Sequence, residues 1–189
     1  RAPRCDAVHG RHHGAAPITP GTRPVVEDLD PWRDILSSLV YLVPVGTGEI
    51  EKGSGYTWID VTQEAPPPYF HPVGGSKYPR FPKVPQNYIG FRHHGKVQSV
   101  HFVEKVDVVV NLRKVHKKWP EGSDPVFLYT LGPPMSPAKE VKTGGVFAVN
   151  SHFCAIDTLL SGAYATVAEA VAETNRRRKL MRLDAADLS

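Results

Sequence analysis

The chain has 189 residues, 41% of them hydrophobic, enough for one core-forming domain with tails. Its 23 Lys and Arg against 19 Asp and Glu give a net charge of +4, a mild excess that tilts expectation toward an anionic partner without requiring one. No apolar run approaches the ~20 residues of a bilayer span. Two cysteines make no disulfide framework, and the charged opening lacks the apolar stretch of a secretory signal, so a cytoplasmic protein is expected.

Residues 1–24 are Arg-, His-, Gly- and Pro-rich with little to bury, and read as a flexible tail ahead of a single domain over 25–189. Asp30-Pro31 is a helix start, followed by Trp32, Ile35, Leu36 and Leu39 at helical spacing. Val40 to Val43 reads as a buried strand and Tyr56 to Val61 as a second. The proline-rich stretch 65–85 cannot be a central strand or long helix and is expected as an ordered, extended loop pinned by Tyr69, Phe70, Tyr78 and Phe81, or else as a mobile flap.

Tyr88 to Arg92, the turn His93-His94-Gly95 and the run Lys96 to Val110 predict a β-hairpin whose long second arm carries a bulge near Phe102-Val103. A basic connection with Lys114, Lys117, Lys118 and Trp119 leads to a strand at Val126–Tyr129, stopped by Gly132-Pro133-Pro134. Val146–Val149 reads as a last short strand. Thr166-Val167-Ala168-Glu169 is a capping box that opens a C-terminal helix over about 166–183.

The hairpin concentrates aromatic and cationic side chains, the types that stack on bases and contact phosphate. Tyr88, Phe91, Arg92, His93, Lys96 and His101 are therefore candidate ligand-binding residues, with Arg92 and Lys96 as backbone anchors. The competing reading makes the aromatics core residues and the histidine pair a solvated turn. Lys114, Lys117, Arg177 and Arg178 are candidate phosphate contacts, although cations at a helix C-terminus also complement the helix dipole.

Three chemistries have weaker support. The histidines follow no standard zinc spacing, so neither metal nor cofactor is expected. Asp124 with Glu140-Val141-Lys142 matches on paper the acid and E-x-K pattern of a divalent-metal nuclease of the PD-(D/E)xK kind. Cys154 lies in an apolar run without a flanking catalytic motif and reads as a small hydrophobe.

Tyr88-Ile89-Gly90-Phe91-Arg92, the turn and Lys96 to Val100 resemble the central hairpin of PUA-like barrels, the group that includes EVE, ASCH and YTH domains. Val126-Phe127-Leu128-Tyr129 through Pro133 is similar to the strand and loop that close such barrels. The resemblance covers roughly residues 38–135 and implies an α+β fold: a curved, mostly antiparallel, barrel-like sheet with flanking N- and C-terminal helices. It also implies a pocket for RNA, DNA or a modified base, and adds Tyr41 and Trp58 to the candidates. The expected function is thus a nucleic-acid-binding module. The alternatives are the nuclease and a protein-interaction adaptor that docks through the proline-rich loop.

Overall fold

The computed structural model describes residues 36–147 and 149–180. The tail 1–24 and nearly all of the helix expected from Asp30 lie outside these, although Leu36 and Ser37 are helical.

Six strands form one sheet: β1 (Leu39–Pro44), β2 (Pro68–Pro72), β3 (Tyr88–His93), β4 (Lys96–Val109), β5 (Val126–Met135) and β6 (His152–Ala155). Their order is β2-β5-β4-β3-β1-β6. Only β1 and β3 pair in parallel; the other four ladders are antiparallel. The helices are α1 (Trp58–Thr62), α2 (Ile156–Leu160) and α3 (Val167–Leu180).

The sheet is strongly curled into a half-barrel. In a flat sheet, β2 and β1, four strands apart, would be separated by roughly 19 Å. Instead the Tyr41 and His71 rings lie 5.6 Å apart, and Tyr69 meets Phe91 at 5.9 Å. The sheet therefore closes on itself through side chains of its inner face.

The period-2 alternation of the strands splits the core into two layers. On the inner face Tyr41, Val43, Tyr69, Ile89, Phe91, Phe127, Tyr129 and Leu131 pack together. On the outer face Val40, Leu42, Val97 and Val100 pack against Leu159 of α2 and Val167 and Ala170 of α3. A third cluster of Phe70, Leu112, Trp119 and Val126 seals the end where β4 passes into the basic connection.

The hairpin forms as expected. His94 (φ 49°) and Gly95 (φ 76°) both take positive φ at its tip, the turn geometry whose twist matches the flanking strands. The β4–β5 register shifts between His101 and Val103 and again between Val103 and Lys105, where the sequence places a bulge.

Four expectations are corrected. Trp58–Thr62 is a helix within the expected second strand: Thr57 Oγ1 accepts from the Asp60 N–H, and Asp60 Oδ2 accepts from the Thr57 N–H at 2.7 Å. That reciprocal cap outweighs the β-propensity of Trp and Ile. The proline-rich stretch holds an edge strand, β2, bounded by Pro68 and Pro72 at its ends. β5 continues through Pro133 and Pro134 because its pairing with β2 ends at Thr130, so no ladder on that side needs their missing donors. The last strand is β6, while Phe147 and Val149 lie exposed in an irregular loop closed by Asn150 N–H donating to Phe147 O. The C-terminal helix opens with its capping box: Glu169 accepts from the Thr166 N–H, and Thr166 Oγ1 from the Glu169 N–H.

Gly74 is sterically required, because a Cβ there would stand 2.1 Å from Phe81 O and 2.6 Å from the Pro82 carbonyl. Gly74→Ala is expected to lower unfolding free energy by about 2 kcal/mol or more. Gly75→Ala, whose Cβ meets nothing within 4 Å, is expected to shift it by less than about 0.5 kcal/mol. Urea denaturation of the two variants side by side checks this.

Candidate functional site

A cleft of about 620 Å³ opens where the C-terminal end of β1, β2, Phe91 and α1 converge. Trp58, Tyr69, Phe70, His71, Phe81 and Phe91 line it, with Pro72, Val149 and Ser151 at other points of the wall. Among the described residues Glu49 is the one charged lining residue, and its carboxylate accepts from the Gly53 and Gly55 N–H groups at 2.6 and 2.9 Å. The cleft is thus apolar, aromatic and close to neutral.

His71 anchors the wall. Its Nδ1 lies 2.7 Å from Pro72 O, an atom that can only accept, so Nδ1 carries the proton. Nε2 then accepts from the Tyr129 hydroxyl at 3.0 Å. The ring is stacked on Phe81 with planes 12° apart. Burial pushes the imidazole down to about 4, against a modest upward pull from the Pro72 carbonyl. Burial also raises the Tyr41, Tyr69 and Tyr129 phenols, so this polar network stays uncharged at neutral pH.

The candidates from the sequence do not form one cluster. Phe91 and Trp58 line the cleft, Trp58 packing on Phe70 at 5.0 Å. Tyr41 is buried behind it, its ring against His71 and Phe153. Tyr88 belongs to the opposite face, packed on the outer cluster and on Phe102 at 5.6 Å. Arg92 is 3% exposed and donates to the carbonyls of Phe147 and Asn150. It holds the loop before β6 and is not displayed to a ligand, which corrects its role as an anchor.

His93 and Lys96 lie at the hairpin tip. His93 Nδ1 is 2.9 Å from His94 Nδ1, and Lys96 pairs with Glu140 at 2.8 Å. His101 is buried and borders a different cleft.

The cationic candidates divide as well. Arg177 is engaged by Glu173 and Asp157, and Arg178 is 9% exposed, so neither offers a free guanidinium to phosphate. Lys114 and Lys117 are exposed. Next to them Lys118 Nζ lies 5.2 Å from the Tyr56 ring, and its charge helps hold down the Asp60 carboxyl, whose main stabiliser is the Thr57 cap. The lysine segment therefore flanks α1, whose Trp58, Val61 and Thr62 line the cleft.

The nuclease constellation does not assemble. Asp124 precedes the end of β5 that pairs with Val109 and is held by Lys77 and Tyr78, whereas Glu140 binds Lys96 at the other end of the 14-residue β4. Among the described residues no three His, Cys, Asp or Glu side chains are grouped to hold a metal. Cys154 is fully buried, and burial pushes its thiol up to about 12, as suits a packing residue. No described helix is long and apolar enough to cross a membrane.

Tyr69, Phe70, His71 and Phe81 were not singled out for the site by the sequence. The available signal was Tyr-Phe-His set between Pro68 and Pro72: a short strand fenced by prolines, with alternate residues facing inward. No family model, curated protein or solved structure matches the chain.

The buried neutral His71 predicts acid sensitivity. Its pKa falls on folding, so the unfolded chain takes up the proton first. Stability is intact above about pH 6.5 and declines toward pH 4, where this ring alone costs about 3 kcal/mol. In an NMR titration the His71 Hε1 resonance is expected to shift with a midpoint near 4; a midpoint near 6.5 contradicts the assignment.

Proposed function

We propose that this protein is a nucleic-acid-binding module of PUA-like type whose aromatic cleft receives a single base, including a modified one. The observation that carries the reading is the aromatic cleft lying beside an exposed lysine segment, with α1 between them. A near-neutral cavity of about 620 Å³ suits the uncharged part of a ligand and falls in the usual size range of small-ligand sites. It leaves room for a base with a substituent. Phosphate, which the interior would reject, is met outside by Lys114, Lys117 and Lys118.

The binding mechanism follows from these parts. A base extruded from its stack inserts against Trp58 and the Phe81–His71 pair, gaining on the order of 1–3 kcal/mol of stacking. The lysines add a sequence-independent, salt-dependent term. Arg92, Arg177 and Arg178 take no part, since each is committed within the fold.

The test is fluorescence titration with plain and modified single-stranded oligonucleotides across a salt series. Trp58→Ala is expected to weaken binding by roughly 5- to 150-fold. Lys114→Ala and Lys117→Ala are each expected to lower the salt slope by about 0.7, without changing base preference. Folded protein with no affinity for any oligonucleotide at low salt overturns the reading.

A further inference from the structure

A second cleft, about 600 Å³, lies at the other end of β2 and is lined in part by Ser99 and His101. These residues stand two apart on β4, so the strand pleat puts them on one side. Ser99 Oγ is 2.8 Å from His101 Nε2, and His101 Nδ1 is 2.8 Å from Gly132 O. A carbonyl oxygen only accepts, so Nδ1 holds the proton. Burial disfavours the imidazolium, leaving Nε2 a bare acceptor, and Ser99 must donate to it.

Nucleophile, base and a group that fixes the base's tautomer are thus aligned, with Ser99 partly exposed in the cleft. The two register shifts of the β4–β5 ladder lie between His101 and Lys105, a kind of irregularity that re-aims side chains beside active sites. The walls of the cleft include Pro66, Pro67 and Leu131, with carboxylates at Glu64 and Glu104. That lining repels anions and favours an uncharged or cationic substrate with an apolar acyl group.

We propose that Ser99 and His101 form a nucleophilic dyad that hydrolyses such esters. Ser99 Oγ attacks the acyl carbon while its proton passes to His101 Nε2. Collapse of the tetrahedral adduct breaks the bond to the leaving alkoxide, which takes that proton. Water then attacks the acyl-serine, giving a proton to Nε2, and the carboxylic acid departs as Ser99 recovers its hydrogen. Water is the one co-reactant.

The experiment treats the whole protein with an uncharged alkyl fluorophosphonate and maps the adduct by peptide mass spectrometry, alongside turnover of p-nitrophenyl butyrate. A single adduct on Ser99 is expected. Ser99→Ala should abolish it, and His101→Gln should slow labelling by roughly 10²- to 10⁴-fold. The wild-type labelling rate should fall on acidification with a midpoint below 6.5, the ordinary imidazole value. Native protein whose Ser99 stays unlabelled overturns the proposal without recourse to a variant and leaves the pair as a structural hydrogen bond. Equal labelling rates in wild type and a folded His101→Gln protein overturn it as well. Oligonucleotide binding at the aromatic cleft is read separately, so either result leaves the other standing.

Discussion

The contact of β2 with the far side of its own sheet, through Tyr69 and His71 against Tyr41 and Phe91, is the interaction on which the fold and the aromatic cleft both depend. It converts an open six-stranded sheet into a half-barrel. A curled sheet has an inside that its own side chains must fill, and here aromatic rings do so with edge-on and tilted contacts. Toward the ends of β1 and β2 the rings no longer fill the interior, which opens there as the aromatic cleft they line.

The polar groups in that interior are arranged so that none must carry charge. His71 donates to Pro72 O and accepts from Tyr129, which uses both ring nitrogens in the neutral form. A protonated imidazole would lose its acceptor role and be left facing a hydroxyl in a desolvated site. The same logic governs His101, whose two nitrogens are taken by Gly132 O and Ser99 Oγ. One neutral histidine closes a structural network, whereas the other has a hydroxyl partner within a cleft.

Charge, apart from the buried Arg92 and Arg178, lies at the periphery and is mostly spent on the protein itself. Lys77 with Asp124, Lys96 with Glu140, Arg113 with Glu51 and Arg177 with Asp157 tie neighbouring loops and helices together. Such exposed pairs contribute little stability individually, but they remove those cations from the set available to a polyanion. The segment Lys114–Lys118 differs in flanking the wall of the aromatic cleft, and for that reason it, and not the arginine run of α3, supports the proposed binding role.

Local chemistry was legible in the sequence wherever a signal lies within a few residues: the His94-Gly95 turn, the Thr166–Glu169 cap, the exclusion of the proline-rich stretch from the sheet's interior, though not its edge strand, and the irregular middle of β4. The Thr57–Asp60 cap was equally local but was overshadowed by β-prone neighbours. What the sequence could not determine was which residues share a space. Tyr88 and Phe91, an odd number of positions apart on β3, face opposite sides of the sheet as the pleat requires, but nothing local says which side is the cleft's, and Tyr41 and His71, thirty apart, touch. Strand order, the degree of curl and the direction of alternation decide those meetings, and they arise from the packing of the whole chain. The residue types of an aromatic, weakly basic domain are thus a property of the sequence; the neutral cleft, the burial of Arg92 and the alignment of Ser99 with His101 exist only once the sheet has closed.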